Sequence, residues 1–174
     1  MSAIDKNAQN LNLLSPLGFK FQIRKLPDVN YFLQRVTLPQ ITLPEVSQPT
    51  PFTVNHHPGD HIDYGYLDIV FKVDEDLNNY RQIHSWVRGL GFPTEFQEYQ
   101  DLVNRTEFVG AGIKSDATLI ITTDLKNPNI DVNFQDCFPT SLGALEMNTT
   151  DSTVQYITCG ARFAYTLFDV ELLP

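Results

Sequence analysis

Residues Tyr64 to Gly91 read YGYLDIVFKVDEDLNNYRQIHSWVRGLG, and the hydrophobic period changes part-way along them. Leu67, Ile69, Phe71 and Val73 share one side of the first part, and Tyr66, Asp68, Val70 and Lys72 share the other. That is the period of a β-strand, predicted over Tyr64 to Val73. Its second side is only partly polar, as expected where both faces are covered in places. Asp74, Glu75 and Asp76 then suit the positive end of a helix dipole. Leu77, Tyr80, Ile83, Val87 and Leu90 follow at helical spacing and make one apolar stripe. Gly89, Gly91 and Pro93 predict its stop. One amphipathic helix therefore sits between strands, and the fold is decided by what those strands do.

Upstream, Phe19, Phe21 and Ile23 alternate with Lys20, Gln22 and Arg24, which predicts a first strand. Pro27, Asp28 and Asn30 mark a turn, and Tyr31 to Leu38 reads as a second strand. Leu38-Pro39 and Leu43-Pro44 follow, an extended stretch suited to an edge because proline donates no amide hydrogen. Residues 45–63 form the longest irregular region, with a short strand expected at Phe52 to Val54. A loop of that length inside a compact domain is usually functional. Residues 1–17 read as an N-terminal arm with one apolar patch at Leu11, Leu13 and Leu14, and residues 18–174 as a single β domain.

Downstream, Thr94-Glu95-Phe96-Gln97 has the form of a capping box opening a second short helix, with Phe96, Tyr99 and Val103 as its buried side. Thr118 to Thr123 is a strand. Asn127-Pro128-Asn129 is a turn. Ile130, Val132 and Phe134 alternate in the next strand. Asp136 falls on the apolar phase, which predicts a bulge or strand end near Asp136-Cys137, and Phe138-Pro139 closes the run. Thr153 to Asp169 reads as one long last strand. The pattern is mainly β: an antiparallel β-sandwich or rolled barrel with one flanking α-helix.

The 174 residues suit one domain with a real core. Only 19% are charged, and the net charge is −9. Lys and Arg are scattered singly, without the clustered cations that a nucleic-acid grip needs. No run approaches the apolar length of a membrane helix, and the first twelve residues lack the form of a signal peptide. Cys137 and Cys159 have no metal-type spacing, and free thiols are the expectation.

The search for chemistry returns little. His56, His57, Asp60 and His61 lie close in sequence, and imidazoles with carboxylates bind zinc or nickel. Adjacent histidines point apart, however, and only His84 stands elsewhere to complete a set. A contact loop is the better reading. Asp74, Glu75 and Asp76 are explained by a helix start without acid–base work. Gly110-Ala111-Gly112 lacks the Lys-Ser/Thr of a phosphate loop. No catalytic residue, cofactor or metal site is assigned.

Three stretches carry a resemblance. Phe19 to Pro39 is an early strand followed by a Leu-Pro segment. Gly59-Asp60 leads into the strand, acidic turn and helix ending at Trp86. Phe138-Pro139-Thr140-Ser141-Leu142-Gly143 precedes the strand ending Phe163-Ala164-Tyr165. Together they resemble the tail tube proteins of T4-like contractile-tailed bacteriophages over most of residues 18–169. Two departures stand out: Phe138 where that family often has Trp, and an N-terminal arm and Pro-rich loop without a clear match. The resemblance implies a structural virion protein, not an enzyme, assembled in the host cytoplasm. It implies hexameric rings stacked around a channel through which genomic DNA passes unbound. Its partners would be further copies of itself, the tail sheath and the baseplate, with no membrane. An acidic wall would not hold DNA. Glu45, Gln48, Phe52, His56, His57, Asp60 and His61 are the candidate inter-subunit contact residues. A baseplate-hub or tube-end ring of the same fold is the alternative, and a metal-dependent β-sandwich enzyme a weaker one.

Overall fold

The computed structural model describes residues 12–104, 113–149 and 156–173. In chain order the elements are β1 (Phe19–Ile23), α1 (Pro27–Tyr31), β2 (Leu33–Thr37), β3 (Ile41–Thr42), β4 (Glu45–Pro49), β5 (Val54–Pro58), β6 (Asp63–Tyr64), β7 (Leu67–Lys72), α2 (Asn78–Gly91), α3 (Gln97–Val103), β8 (Ser115–Thr122), β9 (Pro128–Leu142), β10 (Thr158–Ala164) and β11 (Leu167–Leu172).

The main sheet runs β1-β8-β9-β10-β7-β2, with β11 also paired to β9, and every pairing is antiparallel. β9 belongs to two layers. Its first part, Ile130 to Gln135, lies between β8 and β11, and its last part, Phe138 to Leu142, lies on β10. One layer is thus β1, β8, β9 and β11; the other is β9, β10, β7 and β2. Phe21, Ile23, Val132 and Phe134 from the first layer join Leu67, Ile69, Phe71 and Phe163 from the second in a single core. The sandwich expectation holds. β1 and β2 do not pair among the described residues, so the sheet bends without closing into a barrel.

The bend sits at Asp136, whose φ is 61°. The expected bulge is there, but the expected end of the strand at Phe138-Pro139 is not. The strand continues to Leu142, because β10 supplies partners beyond the bulge. The single long last strand is likewise two. Thr166 interrupts it opposite the bulge, giving its amide to the Gln135 carbonyl at 3.0 Å and its hydroxyl to Asp136 at 3.3 Å. The strand changes phase there, so Phe168 rather than Leu167 enters the core.

α2 lies where its stripe requires, with Ile83 and Trp86 buried. It begins later than the acidic run suggests. Leu77 takes φ 56°, and the Asp74 carboxylate reaches forward to accept the amides of Asn78 and Asn79 at 3.1 and 3.2 Å. Gly89 does not stop the helix; it lets Leu102 of α3 pack closely against it. The capping box at Thr94 does not form. Arg88 instead donates to the Thr94 hydroxyl, and the buried residue of α3 is Leu102, while Phe96 and Val103 are exposed. α1 and β2 replace the expected continuous strand from Tyr31. Cys137 and Cys159 are buried free thiols, and Gly110-Ala111-Gly112 lies outside the described residues.

Candidate inter-subunit site

Residues 45–63 are the expected irregular loop, and the structure corrects that expectation: they belong to a long β-hairpin spanning residues 40–65. Ile41 pairs with Tyr64 and Thr42 with Asp63 at its base. After a break, Glu45 to Pro49 pair with Pro58 to Val54. Thr50 closes the tip, donating its amide and its hydroxyl to the Thr53 carbonyl at 2.8 and 2.6 Å. The strand expected at Phe52 begins only at Val54, and Phe52 occupies the tip, 98% exposed.

The prolines fit this ladder. The Gly59 amide donates to the Pro44 carbonyl at 2.7 Å, and Thr50 to Thr53, which fixes every second pair as hydrogen-bonded. Pro49 and Pro58 fall on the alternate pairs, where their nitrogens face outward and no donor is missed. Prolines there also discourage edge-on pairing with a stray strand. A Cβ on Gly59 would stand 2.5 Å from the Pro44 carbonyl oxygen, so the close approach at the root of the arm requires glycine.

All ten residues of β4 and β5 are exposed. Opposed residues share a face, so Val46, Gln48, Asn55 and His57 line one side, and Glu45, Ser47, Pro49, Val54, His56 and Pro58 the other. His56 Nδ1 lies 3.4 Å from a Glu45 carboxylate oxygen, and His57 Nε2 lies 3.3 Å from Gln48 Oε1. His61 Nδ1 is 3.0 Å from Asp60 and its Nε2 is 3.8 Å from Asp63. The hydrogen bond from His61 lowers the Asp60 carboxyl below its ordinary value. The seven residues expected at this site therefore all lie on the arm, but in three places: Glu45, Gln48, His56 and His57 along the strands, Phe52 at the tip, and Asp60 with His61 in the break. They do not converge on one point. Among the described residues no group of three or more His, Cys, Asp or Glu is arranged to hold a metal ion. No helix among them is long and apolar enough to cross a membrane.

An isolated two-stranded ribbon is marginal in water. This one also exposes Ile41, Leu43, Val46, Phe52, Val54 and Ile62. It has the chemistry of a segment completed by contact with another surface. Residues 12–17 are similar. Leu13 and Leu14 are exposed beside the turn that follows β8, where Lys126 donates to the Leu17 carbonyl at 3.1 Å.

No family model matches the sequence, and no curated protein matches it. Solved structures do. The tube-terminating cap of the anti-feeding prophage superposes with a TM-score of 0.68 at 11% identity, covering 99% of this chain and 100% of that one. The chain has the fold of contractile-injection tube proteins. A chain of the extended sheath–tube complex of an extracellular contractile injection system gives 0.61 at 13% identity, with 99% of each chain covered. A chain of the sheath/tube terminator of such a system gives 0.61 at 14% identity, covering 94% of this chain and 99% of that one.

Proposed function

We propose that this chain is a structural, non-enzymatic ring subunit of the tube of a phage-like contractile particle. In this reading six copies close a ring and rings stack into a tube. The 40–65 hairpin of each copy reaches into the next ring, where Phe52 and Val54 are covered. The exposed hairpin carries the proposal, since burying the Phe52 side chain alone returns about 2 kcal/mol. The fold shared with tube and tube-cap chains supports it. A sheath outside and a baseplate below are the partners that fold suggests, in a virion assembled in the host cytoplasm. DNA passes through the channel without specific binding, in keeping with the scattered cations and the net charge of −9.

A tube-end ring is the second reading, favoured by the higher TM-score with the tube-terminating cap. Negative-stain electron microscopy of the purified chain separates the two: long hollow tubes for the first, single or paired rings for the second. A monomer at high concentration overturns both.

A further inference from the structure

The 40–65 hairpin has no permanent cation. No Lys or Arg lies between Gln40 and Gly65, although the chain has twelve. Its acids are Glu45, Asp60 and Asp63, and its only basic groups are His56, His57 and His61. The one other histidine of the chain is His84, exposed on α2 and stacked on Tyr80. With neutral imidazoles the three carboxylates give the hairpin a charge of −3, a third of the chain's −9. With all three imidazoles protonated its charge is zero. Carboxylates keep their charge down to about pH 5, whereas imidazoles change theirs between about pH 8 and 5. The charge of this segment is therefore set by its histidines.

Each ring stands where an added proton is answered. His56 Nδ1 lies 3.4 Å from Glu45, across the β4–β5 ladder and on the same face. His61 stands between two carboxylates, with Nδ1 3.0 Å from Asp60 and Nε2 3.8 Å from Asp63. A neutral imidazole has one N–H, and only the charged ring presents a hydrogen on both nitrogens. The hydrogen bond from His61 holds the Asp60 carboxyl below its ordinary value, so this carboxylate keeps its charge while an imidazole gains one. His57 Nε2 lies 3.3 Å from the Gln48 carboxamide oxygen, which accepts from a charged ring as well as from a neutral one. β4 and β5 pair only with each other. Among the described residues, Glu45, Asp60 and Asp63 are the charged groups that face these rings.

On the free chain all these groups are in water, and their pairing is screened. Docking changes the balance. A carboxylate taken out of water without a partner is costly, and one with an imidazolium beside it is much less so. In the stacked reading the hairpin meets another copy of the same acidic chain, which repels a charge of −3 and not a charge of zero. The docked hairpin thus binds imidazole protons more tightly than the free one. By linkage, docking strengthens as pH falls.

We propose that the hairpin is an acid-favoured docking element: protonation of His56, His57 and His61 neutralises it and promotes the stacking of one ring on the next. The proposal rests on the ring-subunit reading above and adds a control to its stacking contact.

The test is tube formation by the whole chain at about pH 8 and about pH 5.5, followed by sedimentation and negative-stain electron microscopy. The amount of tube is expected to rise at least about tenfold at the lower pH. Acid also moves the chain toward its isoelectric point of about 4.7, which favours unspecific association. Only hollow tubes are therefore counted, and His84→Gln, which removes an imidazole away from the hairpin, should keep the parent's response. The triple variant His56→Gln, His57→Gln, His61→Gln should lose it. Conversely, Glu45→Gln, Asp60→Asn, Asp63→Asn removes the charge without acid and should form at pH 8 the tubes that the parent forms at pH 5.5. An equal amount of tube from the parent at both pH values overturns the proposal, as does a full response from the triple histidine variant or a neutralised variant that stays unstacked at pH 8. Rings seen in any of these cases leave the ring reading standing. No ring from the parent at either pH overturns both.

Discussion

The Trp86 indole N–H donates to the carbonyl of Ile113 at 2.9 Å, tying the middle of α2 to the start of the chain that enters β8. Trp86 is buried, with its ring centroid 6.1 Å from that of Phe163 and the Lys25 ammonium 5.1 Å from the ring. It is a core residue with one polar obligation. Trp86→Phe removes the donor and leaves a partly buried carbonyl short of a partner, at a cost of about 1–3 kcal/mol. Trp86→Ala removes the ring as well and costs about 3–5 kcal/mol. Urea unfolding of the unassembled chain measures both, and a Trp86→Phe variant as stable as the parent would deny the hydrogen bond a role.

Asp136 makes a different prediction. Its φ of 61° lies in the left-handed region, which disfavours branched side chains. Its carboxylate accepts from the Thr166 hydroxyl and lies 3.5 Å from the Lys114 ammonium. Its amide donates to Asp116 at 3.2 Å. Asp136→Val keeps the strain and the amide hydrogen bond but loses the carboxylate's contacts, and is expected to cost about 1–2 kcal/mol. Asp136→Gly relieves the strain while losing the side-chain contacts, and should lie within about 0.5 kcal/mol of the parent. Thermal unfolding in parallel gives the order Gly above Val; the reverse order rejects this account of the bend.

The bend also shows what the sequence could and could not reveal. Asp136 was legible because a carboxylate on the apolar phase contradicts a regular strand. β7 and α2 were legible because Leu67, Ile69 and Phe71, and then Ile83 with Tyr80, Val87 and Leu90 packed beside it, each turn one face of a regular period to the core. β4 and β5 bury neither face, so no alternation marks them, and their prolines read as breaks although Pro49 and Pro58 occupy positions that need no donor. Candidate contact residues could be put forward from loop length, but their division between two faces and a tip could not. The borders at β1 and β11 were not legible at all. Phe19 to Ile23 has the same pattern at an edge as it would have in the middle of a sheet, and only pairing reveals which it is.

Phe52 separates assembly from folding. It is almost wholly exposed, and the tip is closed by Thr50 and Thr53 without it. Phe52→Asp should leave the stability of the unassembled chain within about 0.5 kcal/mol. It should abolish ring stacking, since a carboxylate would have to be buried where the phenyl ring was. Sedimentation of the variant is expected to show single rings in place of tubes. Tubes of ordinary length would remove the hairpin from the stacking contact.

High pH should weaken the fold through Cys137 and Tyr165. Burial raises the Cys137 thiol from 9.0 to about 12, with the Asp116 carboxylate adding to the rise. Burial likewise raises the Tyr165 hydroxyl from 10.0 to about 12. Both groups hold their protons more tightly folded than unfolded, so the unfolded chain releases protons first as pH rises. The contribution is complete below the unfolded values and is lost between about pH 9 and the folded values near 12. Each proton so linked gives a slope of up to about 1.4 kcal/mol per pH unit. Stability measured by urea from pH 8 to 11 should therefore fall steadily. Cys137→Ala should be less stable at pH 8 for its lost packing, yet show a shallower fall from pH 9 upward. An unchanged slope in that variant would place the proton release elsewhere.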